Sequence, residues 1–556
     1  ETDEINELFK GIIPVYLLYL VPLILIMSPV GVTTASHEFP VYRMTQYDLH
    51  GIPKGCRASM INLEARSVKN WSSGRHCVVA RLDHLTASTL LKIKETAGAL
   101  LIVLPRSPQH LSPEEVKELT RVLSLLTTEE LSLPIYLIGW SIEIEKILDE
   151  LMGSATLSGG TVDEGPTART SGMDALTAIF SKNGYQVVVS APRPSPRHDA
   201  AITSIQGKLA GYGVEDKLPT ILIVAHYDAQ SIAPELAFGA ESNASGVVML
   251  LELVRLLSLL YSNSRTHGHV NIVFLLSGGG TLNYQGSKKW LEDQLESVDS
   301  TLLQDVQFVL CLDSVAQPNL HMHVSKPPRE RSPLHNFYLE LQNATGNSLE
   351  IIHKKINLAD DILAWEHERY SIRRLPATTI SSMKSHKELR KDGLFDVAER
   401  IDMKSFTKNI ENVASALTRH IYNISRDPTT FSQQHLGVYE DQVKMWLEFL
   451  SSHPRSPSVI YEKTNPVIRV LHETLKRYLE DVKIVHHTAD KRDPEFVFYD
   501  TTKANINIYN VKPAIFDLFL TIIISLYLAA FFIAVQKMHL LYGALVPSGI
   551  RKLKSQ

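Results

Sequence analysis

The chain has 556 residues, 44% hydrophobic and 21% charged, which is an ordinary globular composition long enough for more than one domain. A net charge of −4 gives no electrostatic basis for binding nucleic acid. Three cysteines are too few for a disulfide framework: Cys311 lies in an apolar run and reads as a buried thiol, and pairing of Cys56 with Cys77 is left open. Residues 1–35 contain an uncharged run of 22 residues, Gly11 to Val32, preceded by four acids and one Lys and followed by Thr33-Thr-Ala35. The length suits a bilayer span, so cleaved signal and retained anchor are both open.

Residues 36–160 read as a small α/β lobe. Strands are expected near Cys77 to Leu82, Ala99 to Leu104 and Pro134 to Ile138, alternating with amphipathic helices such as Pro113 to Leu126. The Ser/Gly/Thr-rich run Ala155 to Thr170 marks a loop. Residues 161–430 read as a larger α/β domain with helix Gly172 to Asn183, strands at Tyr185, Thr220, Asn271 and Val306, and a crossover helix Val247 to Leu260. That alternation predicts a parallel or mixed sheet covered on both faces. Residues 431–513 show helical periodicity, at Val443, Trp446, Leu447 and Leu450, and predict a helical membrane-proximal region. Residues 514–536 contain the uncharged run Leu518 to Val535 and predict a transmembrane helix. The tail, 537–556, carries Lys537, Arg551, Lys552 and Lys554 and no acid, which places it in the cytosol and the large domains in the lumen. Its last residues, Lys552-Leu-Lys554-Ser-Gln, have the form of a K-x-K-x-x retrieval signal, although a chance basic tail explains them equally well.

Chemistry concentrates where the apolar strand TILIVAHYDA ends in His226-Tyr-Asp228, followed by Ser242-Asn-Ala-Ser245-Gly246 and a long apolar helix. Strand, ligand pair, loop and helix is the layout in which an α/β sheet presents ligands at the carboxyl ends of its strands. These residues resemble the zinc aminopeptidases of the M28 type, a fold shared with transferrin-receptor-like and nicastrin-like proteins. The resemblance implies a dinuclear zinc site, and it maps His226 to a metal-binding histidine, Asp228 to the aspartate that orients it, Asp313 to a later aspartate and His386 to the last histidine. It also maps Ser242 to the position of the metal-bridging aspartate. Gly280 and Thr281 fall at the expected pair of glutamates, one a general base, and no carboxylate occurs from Ser277 to Leu291.

Two divalent cations about 3.5 Å apart repel by roughly 20 kcal/mol at an effective dielectric of about 20. Bridging and terminal carboxylates offset this, and a neutral serine does not. Loss of a general base alone costs about 10²- to 10⁴-fold in rate. His226 and Asp228 are therefore read as a residual structural pair and the site as one without metal or cofactor. Glu241, one residue out of register, is expected to point elsewhere.

Other signals are weaker. Trp365-Glu-His367-Glu368-Arg lacks the second His of a zincin helix, His486-His487 reads as a solvated linker, and Gly278-Gly-Gly280 reads as a tight turn. Sequons stand at Asn70, Asn243, Asn343 and Asn423. Asn243, on the loop beside the cleft, is the first expected glycan and Asn423 the second.

The segments HEFPVYRMTQYDL, HVSKPPRE, INLADDILAWEHERY and ADKRDPEFVFYD are similar to those of the nicalin family, endoplasmic-reticulum relatives of nicastrin. The resemblance implies a catalytically silent membrane glycoprotein, a scaffold subunit associated with the Nodal modulator protein and a multi-spanning membrane partner at the translocon that inserts multi-pass proteins. The alternatives are a residual zinc aminopeptidase and a lumenal receptor that binds peptide without cleaving it.

Overall fold

The computed structural model describes residues 37–106, 112–158, 184–214, 217–297, 302–360, 362–388, 391–424, 437–462, 464–500, 503–511 and 514–537. The N-terminal apolar run, the helix expected at Gly172 to Asn183 and most of the basic tail lie outside these residues.

The first lobe is built on a closed barrel. Its strands are β1 (His37–Arg43), β2 (Ile61–Ser67), β3 (His76–Arg81), β4 (Ala99–Val103), β5 (Ile135–Ile138) and β6 (Gly184–Val189). A seventh strand, Ala504–Val511, lies between β1 and β6, and β1 pairs with β5 to close the ring. Strands β2 to β5 run parallel, with helices α1 (Ala87–Thr96) and α2 (Pro113–Thr128) in the crossovers after β3 and β4, and α3 (Ile142–Ser158) follows β5. Helix α2 starts at a full capping box, Ser112 with Glu115, and has Pro113 in its first turn. The strand expected at Tyr185 joins this barrel and not the larger sheet, because its alternate residues Tyr185, Val187 and Val189 face the barrel core.

The second lobe carries an eight-stranded mixed sheet made of β7 (Ala201–Leu209), β8 (Thr220–His226), β9 (Asn271–Ser277), β10 (Val306–Leu312), β11 (His321–Val324), β12 (Glu350–His353), β13 (Ala377–Ser381) and β14 (Lys483–Thr488). The order is β12-β11-β13-β10-β8-β9-β7-β14. The central strands β9, β8, β10 and β13 are parallel, so their carboxyl ends lie along one edge. Strands β8 and β9 read as near-continuous apolar runs because both faces are covered. On one face pack α4 (Gly246–Tyr261), α6 (Pro333–Ala344) and α7 (Met403–Tyr422); on the other, α5 (Gln285–Glu296) contributes Trp290 and Leu291. The run Ala240–Tyr261 is long and apolar enough to cross a membrane, but it is 83% buried against the sheet and is a core helix.

Residues 431–513 are only partly helical. After the helices within 440–478, the chain supplies edge strand β14, a strand Phe496–Tyr499 in a separate five-stranded sheet, and β15 (Ala504–Val511), the barrel strand described above. Period-two alternation in ANINIYNV buries Ile506 and Ile508 in the barrel. The paired histidines lie on edge strand β14 and not in a linker: His486 is exposed, its Nδ1 2.9 Å from Thr203 Oγ1, and His487 is half-buried, its Nε2 3.4 Å from Glu495. Helix α8 (Ala514–Gln536) follows β15, and its side chains at Leu518, Leu526 and Phe532 are exposed. Cys56 and Cys77 are free, buried thiols in separate cores, so they do not pair.

Candidate functional site

Parallel register brings His226, at the end of β8, level with Ser277, at the end of β9. Asp228 follows and is fully buried. Its carboxylate accepts hydrogen bonds from the Gly280 amide at 2.8 Å, the Thr281 amide at 2.9 Å and the Thr281 hydroxyl at 2.6 Å. Both oxygens are thus committed to the loop where the expected glutamates are missing. A β-carbon at Gly280 would lie 2.4 Å from His226 Cγ, so the imidazole occupies the space any side chain there would need. Nδ1 of His226 is 3.5 Å from Glu366, whose other oxygen accepts from the hydroxyls of Ser277 and Ser287, each at 2.6 Å. Burial works against a charged imidazole, but the Glu366 contact and the charges of Asp313 and Glu366 outweigh it and raise the His226 pKa.

Ser242 sits in the turn that opens α4, held by Asp396, which accepts from the amides of Glu241 at 2.6 Å and Ser242 at 2.7 Å. Burial pushes the Asp396 carboxyl up to about 7. Glu241 faces away from the cleft, accepting from the Ala316 amide at 3.0 Å and the Ser382 hydroxyl at 2.8 Å, as its register predicted. Ser242 Oγ is 3.4 Å from Asp313 Oδ1. The other Asp313 oxygen accepts from Lys391 Nζ at 2.6 Å. Burial opposes ionisation of Asp313, yet Lys391 and His226 hold its pKa at about 2. The Lys391 ammonium also lies 4.3 Å from the centroid of Trp365, against whose edge His386 packs. Burial and the nearby lysines Lys354 and Lys391 lower His386 to about 4.

A cavity of about 120 Å³ is lined by His226, Ser242, Gly280, Thr281, His386 and Lys391. Five of the residues singled out in the sequence therefore meet at one cavity, and Asp228 and Asp313 bond to two of its walls. Sequence reasoning missed Lys391, Glu366 and Asp396. All three come from distant segments, and no local spacing marks them. Arg455 was missed for the same reason: fully buried, it donates to the carbonyls of Tyr227, Phe238 and Gly239 and clamps the loop after β8.

The residues present do not fit a dinuclear zinc centre. Serine stands at the bridging position, Asp228 is consumed by backbone amides, and an ammonium already occupies one oxygen of Asp313. Among the described residues no group of three or more His, Cys, Asp or Glu is placed to hold a metal ion.

The expected glycan at Asn243 is also incompatible with this geometry. Asn243 is fully buried. Its side-chain nitrogen donates to the carbonyls of His226 at 2.9 Å and Leu312 at 2.8 Å, and its oxygen accepts from the amides of Gly246 and Ser314. The residue ties β8 and β10 to the start of α4. Asn423, in contrast, is exposed in a left-handed conformation at the end of α7. Asn70 and Asn343 are half-buried.

Residues 207–417 match the family model of Peptidase family M28. The whole chain is 43% identical to "BOS complex subunit NCLN" of Mus musculus over 97% of this chain and 96% of the relative. The chain belongs to the nicalin family. A Caenorhabditis elegans relative named "Nicalin" is 26% identical over 99% of both chains. Among solved structures, the gamma-secretase component Nicastrin superposes with a TM-score of 0.55 at 10% identity, covering 86% of this chain and all of that one. The last likeness shows the fold: a peptidase-like mixed sheet with a second α/β lobe.

Proposed function

We propose that this chain is a non-catalytic, peptidase-like scaffold subunit of an endoplasmic-reticulum membrane complex, the counterpart of the BOS complex subunit to which it is similar. The observation that carries the reading is the Gly280–Thr281 loop, which offers Asp228 its amides and carries no carboxylate, so it supplies no general base to the cleft. A cleft so arranged keeps the fold's loops in place without hydrolytic chemistry. In this reading α8 spans the bilayer, the two lobes are lumenal and the basic tail is cytosolic. Exposure of its apolar side chains supports the span, since a 23-residue helix covers about 34 Å. Its partners are a multi-spanning membrane protein and the Nodal modulator protein, at the translocon that inserts multi-pass proteins.

The test is purification of the tagged full-length chain from microsomes in mild detergent. A stoichiometric complex containing a multi-spanning membrane protein is expected. Recovery of the chain alone, with chelator-sensitive release of N-terminal amino acids, would favour the aminopeptidase reading instead.

A further inference from the structure

Strand direction fixes which end of the barrel meets α8. Strand β15 is antiparallel to β1 and β6, β6 is antiparallel to β2, β2 to β5 are parallel, and β5 closes antiparallel on β1. The ends of β15 and of β2 to β5 therefore share one rim with the starts of β1 and β6. Only Lys512 and Pro513 separate Val511 from Ala514, so α8 begins within about 11 Å of that rim. Its uncharged run starts at Leu518, about 6 Å further along the helix. The headgroup zone outside the hydrocarbon is about 5–7 Å deep. With α8 across the bilayer, the loops on this rim stand at headgroup level.

One of those loops carries the residue types that suit an interface. After β5 the chain reads Gly139-Trp140-Ser141-Ile142. Trp140 is half-buried, its Nε1 donates to Glu145 at 2.9 Å, and the guanidinium of Arg106, exposed on the neighbouring loop after β4, lies 4.6 Å from its ring centre. Ile142, in the first turn of α3, is 64% exposed, whereas Ile144, Ile147, Leu148 and Leu151 of the same helix fill the barrel core. The stripe that packs α3 on the barrel thus leaves Ile142 outside. An indole, an alkyl group and an arginine together match a membrane–water boundary, with the ring and alkyl group among headgroups and the guanidinium in water.

Charge selects the lipid. Asp83, Glu114, Glu115, Glu143 and Glu145 stand on this rim beside Lys69, Arg81 and Arg106, and Arg81 is already paired with Asp83 and Glu145. Such a rim has no net attraction for an anionic surface, so contact depends on the apolar groups and a zwitterionic lipid suffices.

We propose that the barrel rim from which α8 leaves rests on the lumenal leaflet, with Trp140 and Ile142 in the headgroup region. This rests on the reading that α8 spans the bilayer, and the two fail separately.

The experiment places the full-length chain in nanodiscs of phosphatidylcholine brominated close to the headgroup, with tryptophan fluorescence as the readout. The chain has five tryptophans, none of them in either apolar run, and Trp290 and Trp365 are buried. Bromine should therefore lower the emission by up to about a fifth, through Trp140, relative to unbrominated lipid. Trp140→Phe should abolish that quenching. Ile142→Asp, an acid suited to a helix N-terminus, should roughly halve it by lifting the rim. Met60→Trp, added to the Trp140→Phe chain, puts an indole on the opposite rim just before β2, where Met60 is 68% exposed, and should stay unquenched. Absence of quenching in the wild type, quenching that Trp140→Phe retains, or quenching of the Met60→Trp chain overturns the proposal. If Trp140→Phe fails to fold, Ile142→Asp decides, and unchanged quenching there is equally fatal. Release of the wild-type chain from microsomes by alkaline carbonate would instead refute the membrane span on which this proposal stands.

Discussion

Gly280 and His226 share one volume: a β-carbon at position 280 would fall 2.4 Å from His226 Cγ. The absence of a side chain at 280 and the present position of the imidazole are thus two sides of one packing arrangement. Restoring a side chain at 280 should not restore a ligand. Gly280→Ala is expected to destabilise the chain by about 2 kcal/mol through overpacking. His226→Ala in the same chain should recover part of that loss, since it empties the contested space. Denaturant midpoints of the two single variants and the double variant check this; strict additivity would mean that the two residues do not compete.

Glycosylation separates two sequons that look alike in sequence. Asn423 is exposed and should carry a glycan in protein taken from the endoplasmic reticulum. Asn243 uses both side-chain atoms within the core and should be unmodified in folded protein. Glycopeptide mass spectrometry reads both sites at once. A glycan on most copies of Asn243 would contradict the packing of the turn before α4.

Asp313 and Lys391 give the acid limb of stability a definite sign. Asp313 is held at about 2 in the folded chain, below its ordinary value of 3.8. The stabilisation this represents, about 2 kcal/mol, is fully present above about pH 4. It is lost as pH falls from about 4 through 2, because the unfolded chain then takes up the proton first. The stability difference between wild type and Lys391→Met should therefore shrink over that window. Urea midpoints of both proteins from pH 2 to 7 test it, and a difference that is constant or grows toward low pH would count against the ion pair.

Much of the larger lobe was legible because its signals are local. An apolar β-branched run ending in His226 and Asp228, the serine at 242 and the apolar α4 are each contiguous in sequence, and each lies where the pattern places it. What was not legible depends on segments that meet only in three dimensions. Strand β15 alternates apolar and polar residues plainly, but its partners β1 and β6 begin more than 300 residues earlier, and the helical periodicity just upstream masked it. Lys391 carries no motif. Its role comes from a docked loop, and the same residue on a free surface would read as a solvated charge. Asn243 misled for a related reason: a sequon in a loop reads as exposed, and only the surrounding carbonyls and amides show that the loop is part of the core.

The central claim is that this peptidase-like cleft works without metal. Elemental analysis of the full-length chain, purified in mild detergent without chelator, measures it directly. Zinc well below one ion per chain and no chelator-sensitive release of N-terminal amino acids are expected. Two zinc ions per chain, together with such activity, would contradict it.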